Sequence, residues 1–142
     1  MATATIPGTA HANPWAITLS RPAFDLFVGP DGSPAGRTWE QLIGDVIALR
    51  TLPADWDGQG AEAPPPAVVD GAVSLARGFQ TDGAVAADRV IAGANGTVFF
   101  EWHGPNGYVE IEVTGPQEAE GRWVPSGASK AVEFLITRRL TG

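Results

Sequence analysis

Residues 97–103, TVFFEWH, and residues 108–113, YVEIEV, are separated by Gly104-Pro105-Asn106-Gly107. In both runs large apolar residues alternate with polar ones, the period of a half-buried strand. The joining residues are turn formers, so the two runs read as an antiparallel hairpin. Whether its loop has two residues or four, the parity of pairing is unchanged. Val98, Phe100 and Trp102 then share a face with Val109, Ile111 and Val113, and this face is the predicted core. The opposite face carries Phe99, Glu101, His103, Tyr108, Glu110 and Glu112.

Working outward, Arg89–Ala92 reads as a strand before the turn Gly93-Ala94-Asn95-Gly96, and Gly121–Pro125 as a short strand after the hairpin. Two helices are predicted ahead of the sheet. Thr38 and Gln41 form a capping-box pattern, and Trp39, Leu42, Ile43, Val46 and Ile47 recur at helical spacing over residues 39–50, with Pro53 as the stop. Pro64, Pro65 and Pro66 introduce the second helix, because proline is tolerated at a first helical position. Its apolar stripe is Val68, Ala72, Leu75, Ala76 and Phe79. Residues 129–141 fit two periods: Val132, Phe134 and Ile136 alternate as in a strand, whereas Val132, Leu135, Ile136 and Leu140 fit a helix. Ser129 as a cap, with Arg138 and Arg139 in the last turn, favours the helix. The expected fold is α+β: two N-terminal helices, an antiparallel sheet of three to four strands, and a C-terminal helix, with a single layer of helices on one sheet face.

Residues 1–37 contain Pro7, Pro14, Pro22, Pro30 and Pro34, too closely spaced for a helix. They read as an extended, Pro- and Gly-rich arm ahead of one domain at 38–142. Ala16–Leu19 and Phe24–Val28 are candidate edge strands or partner-contacting segments. Trp15, Phe24 and Phe27 are large apolar groups that call for a docking surface, on this chain or another.

Between the helices lies residues 52–61, LPADWDGQGA. Asp55 and Asp57 are suited to local side-chain-to-backbone bonds, and Gly58 and Gly60 to positive φ where the chain reverses. Trp56 is predicted to fill the gap between the two helices and the sheet, its indole N–H taken by a carbonyl or carboxylate. The stretch is a stiff structural loop first.

The 142 residues, 44% of them hydrophobic, suffice for one domain. Cysteine is absent, which excludes disulfides and a thiolate nucleophile. A formal charge of -7 disfavours direct nucleic-acid binding and suits a basic protein partner. No apolar run approaches the roughly 20 residues that span a bilayer, and the N-terminus has neither the basic start nor the apolar core of a signal peptide. A cytoplasmic location without membrane contact is therefore expected.

Glu101, Glu110 and Glu112 fall in one cross-strand neighbourhood, where like charges cost stability and ask for a cation. Arg89, Arg122 or Lys130 of this chain could supply it, or a partner could. An alternative reading places a metal on Glu101, His103 and Glu110 in a small metal-dependent hydrolase. Neither a nucleophile elbow nor a phosphate-binding loop occurs. A non-enzymatic protein without metal or cofactor is favoured.

Trp56, Asp57, Gly58, Gly60 and Ala61, then Phe100-Glu101-Trp102, then Glu110-Ile111-Glu112-Val113 come in an order that resembles a group of short uncharacterised bacterial proteins with WDGYGA, LEW and EIEI motifs. The resemblance covers roughly residues 39–115, and Gln59 stands where tyrosine is usual. It implies a small accessory component of a bacterial gene cassette, of defence or toxin-control type, and a Trp56 packed near the hairpin. The combined expectation is an acidic, antitoxin-like accessory subunit. It would engage a basic protein through Glu101, Glu110 and Glu112, and through Trp15, Phe24 and Phe27 of the arm. A homo-oligomeric structural module, with the arm exchanged between copies, is the third reading.

Overall fold

Thr38 opens the first helix as the sequence predicts: its hydroxyl accepts from the Gln41 amide at 3.2 Å, while the Thr38 amide donates to Gln41 Oε1 at 3.0 Å. Two orphan amides of the first turn are satisfied reciprocally. The structure, a computed structural model, describes residues 3–5, 14–20, 38–105 and 107–138. The elements are β1 (Thr3–Thr5), β2 (Trp15–Ser20), α1 (Trp39–Ala48), a 3-10 turn (Leu49–Thr51), α2 (Pro66–Thr81), β3 (Arg89–Ala92), β4 (Val98–Gly104), β5 (Gly107–Gly115), β6 (Glu118–Pro125) and β7 (Val132–Arg138). The fold is α+β. Helix α1 gives way to the 3-10 turn before Pro53 is reached, and α2 starts with Pro66 in its first turn.

The described strands form one antiparallel sheet of seven, ordered β1-β2-β7-β6-β5-β4-β3. Strands β3 to β7 run as a meander, and β2 joins its β7 edge with β1 outside it. Two expectations are corrected here. The sheet has more than three to four strands, because the segment read as an arm contributes β1 and β2 and the segment read as the C-terminal helix contributes β7. The C-terminal helix is instead β7, whose Val132, Phe134 and Ile136 lie opposite Trp123, Gly121 and Ala119 of β6. Pairing on both sides, with β6 and with β2, satisfies the facing backbone edges of those two strands, which a helix bonded within itself would leave unpaired.

Both helices lie on one face of the sheet. Across that face the register sets Val90, Phe100, Ile111, Gly121 and Phe134 in one row. Gly121 belongs there because a Cβ would sit 2.1 Å from the Phe134 ring, which occupies that place. Over the β3–β5 end, Trp39 of α1 stacks on Phe79 of α2 with ring centroids 5.5 Å apart, and Trp102 meets Phe79 edge-on at 5.5 Å. The indole N–H groups of Trp39 and Trp102 reach the carbonyls of Ala84 and Val85 at 2.7 and 2.9 Å. These rings bury large apolar area with their polar edges satisfied.

Helix α2 crosses close over the β5–β6 turn. A Cβ on Gly71 would lie 2.4 Å from the Gly115 carbonyl oxygen, so the glycine, a poor helix former, is what lets helix and turn meet. Trp15 of β2 is 2% exposed in the same core, and its indole N–H donates to Ser74 Oγ of α2 at 3.1 Å. Among the described residues no helix is long and apolar enough to cross a membrane.

Candidate functional site on the open sheet face

The hairpin parity read from the sequence is the parity of the structure: Phe99, Glu101 and His103 lie opposite Glu112, Glu110 and Tyr108 on the face away from the helices. Tertiary pairing extends this into a row across five strands, Arg89, Glu101, Glu110, Arg122 and Glu133. The neighbouring row sets Phe99, Glu112 and Glu120 side by side.

The carboxylates of these rows have different surroundings. Glu101 is 4% exposed, and its Oε1 accepts from Arg89 Nε at 2.6 Å with His103 Nε2 3.7 Å away. The bond and charge of Glu101 hold the Arg89 guanidinium above its ordinary pKa. Glu101 is thus an internal group, and its expected place on a partner-facing surface is corrected. Glu110 accepts from the Tyr108 hydroxyl at Oε2, 2.7 Å, and has Arg122 Nη1 3.9 Å from Oε1. Burial, and then the acceptor carboxylate, push the Tyr108 phenol well above the usual phenolic range, so it stays a donor at neutral pH. The His103 ring lies 4.8 Å from that of Tyr108.

Beyond this network Glu110, Glu112, Glu120, Arg122 and Glu133 surround a groove of about 360 Å³, with Gly121 and Phe134 also lining it. Four carboxylates there face one guanidinium. Glu112, Glu120 and Glu133 have no ion pair among the described residues. Glu120 and Glu133 were missing from the sequence reading. The alternation of Glu118, Glu120 and Arg122 after the hairpin carries a signal for Glu120, whereas Glu133 was hidden inside the expected helix.

Glu101 Oε1 is turned to Arg89 and the Glu110 oxygens to Tyr108 and Arg122, and among the described residues no group of three or more His, Asp or Glu side chains is placed to hold a metal ion.

The loop at 52–61 binds itself. Asp55, at φ 61, accepts from the Gly60 amide at 2.6 Å, and Asp57 accepts from Gln59 and Ala61 at 2.8 and 3.1 Å. Those two amides hold the Asp57 carboxyl below its ordinary value. Gly58 and Gly60 have φ of 74 and 85. Trp56 is half-buried and donates to the Glu62 carbonyl at 3.0 Å, and Glu62 in turn bridges to Asn95 in the β3–β4 turn. It is not among the core residues, so the gap it was expected to fill is filled by Trp39, Phe79 and Trp102 instead. Trp15, expected at a partner surface, is core, and Phe24 and Phe27 lie outside the described residues. No family model, curated protein or solved structure matches the chain.

Proposed function

We propose that this protein is a non-enzymatic accessory subunit that binds a basic protein partner on the open face of its sheet, around Glu110, Glu112, Glu120 and Glu133. The observation that carries this reading is the Glu112–Glu120 pair, directly opposed across β5 and β6 with no ion pair among the described residues. Like charges so placed destabilise a sheet. A fold that keeps such a cost on the face its helices leave open is complementary to cations from elsewhere. The net charge of -7 favours encounter with such a partner and opposes self-association through this face. The resemblance to short bacterial proteins with WDGYGA, LEW and EIEI motifs, which implies a small accessory component, fits an antitoxin-like setting.

The test is affinity purification of the tagged full chain from its native host. The wild type is compared with a Glu112→Lys/Glu120→Lys double variant and with Glu40→Lys on the helical layer. A basic protein held at fixed stoichiometry by the wild type and Glu40→Lys, and weakened at least about tenfold in the double variant, is expected from loss of electrostatic complementarity. Undiminished capture by the double variant would remove the sheet face from the function.

A further inference from the structure

Among the described residues that line the groove, Arg122 is the one cation. Its guanidinium holds loosely: Nη1 is 3.9 Å from Glu110 Oε1, and the side chain is 53% exposed. Glu110 does not depend on it, because the Tyr108 hydroxyl fixes the other carboxylate oxygen at 2.7 Å. The register places Arg122 between Glu110 and Glu133, at the middle of the acidic face. It is a tethered cation in the position a partner's cation would take.

We propose that Arg122 is an internal competitor for the groove, displaced when a partner presents several guanidinium or ammonium groups together. This rests on the acidic sheet face being the binding surface. A tethered group competes at a high effective concentration. A lone cation therefore meets both the attraction of four carboxylates and the repulsion of a guanidinium already among them. A multivalent basic segment gains from Glu112, Glu120 and Glu133 together and can afford the exchange. Arg122 thus raises the threshold for binding and selects against isolated cations, a discrimination made by an unfavourable contact.

The probe is a short synthetic oligo-arginine peptide titrated into the full-length protein by calorimetry, for the wild type, Arg122→Gln and Arg122→Lys. Arg122→Gln is expected to bind roughly threefold to tenfold more tightly, the scale set by removing one partly exposed charge from the face. Arg122→Lys should keep the wild-type affinity. Free arginine should be bound measurably better by Arg122→Gln than by the wild type. Arg122→Met serves as a second neutral variant, and thermal unfolding confirms that each folds. Binding by the wild type with equal or weaker binding by both neutral variants would overturn the competitor role and leave the acidic face standing. A lysine variant that behaves like glutamine would overturn it also, since shape rather than charge would then matter. Absence of oligo-arginine binding by every variant would overturn the binding face and this inference with it.

Discussion

Three glycines show how differently one residue type acts. Gly71 and Gly121 are held by close contact: the first would press a Cβ against the Gly115 carbonyl, and the second against the buried Phe134 ring. Gly44, in α1, has nothing within 4 Å of its Cβ position. Gly71→Ala is expected to destabilise by about 1–3 kcal/mol through overpacking against backbone. Gly44→Ala should stabilise by about 0.5–1 kcal/mol by raising helix propensity. Urea unfolding of both variants checks the opposite signs. By helix propensity alone Gly71 weakens α2; its close approach to the Gly115 carbonyl is a tertiary contact that local propensity does not show. Asp57 carries a pH prediction. Its carboxyl is held below the ordinary value of 3.8 by the Gln59 and Ala61 amides. The stabilisation is therefore fully present above that value and is lost as pH falls through the lower folded value. Thermal unfolding of wild type and Asp57→Ala should thus differ at neutral pH and converge in strong acid; a constant difference would refute the assignment. The charge in Glu101 gives another. Arg89→Ala leaves a buried carboxylate without its guanidinium, so its melting temperature should fall, and adding Glu101→Gln should restore part of the loss. A double change no more stable than Arg89→Ala alone would show that the two groups are not coupled.

The elements differ in how far local chemistry specifies them. Helices α1 and α2 were legible because a capping box, a proline at the first turn and an apolar stripe all act within a few residues. The β4–β5 hairpin was legible because its turn and its alternation agree. Residues 132–138 were not, because Val132, Phe134 and Ile136 satisfy one period and Val132, Leu135, Ile136 and Leu140 the other. Two neighbours settle the matter: β6 and β2 each offer a free edge, and β7 pairs with both. Strand β2 is likewise part of the sheet, with Trp15 in the core. Trp15→Ala should cost about 3–5 kcal/mol, the range for truncating a buried aromatic ring. The Trp15 indole N–H should also exchange slowly in the isolated protein, read by NMR hydrogen exchange. Rapid exchange without a partner would instead return the tryptophan to a binding role.

For the molecule as a whole, the helices lie on one face of the sheet and the acidic row on the other, and on the proposed function this divides stability from recognition. The covered face holds the core, and the open face carries the opposed Glu112 and Glu120. Glu120→Gln should therefore stabilise the free protein by about 0.2–1 kcal/mol while weakening the partner, the trade expected where a functional surface breaks a local rule. Denaturation and binding measured on the same sample decide it; loss of stability with unchanged binding would reverse the reading.

The amino-acid order by itself determined the two helices, the β4–β5 hairpin and which of its residues face inward, because capping, turn chemistry and side-chain alternation are local. It also determined that the face opposite the core would be acidic. Only the tertiary structure decided that β7 is a strand between two others, that Trp15 is core, and that Trp56 is not. It alone brought Arg89 to Glu101, hiding that carboxylate, and set Arg122 between Glu110 and Glu133. Those outcomes depend on which strand edges find each other, and a strand pairs with whatever edge the rest of the chain leaves open.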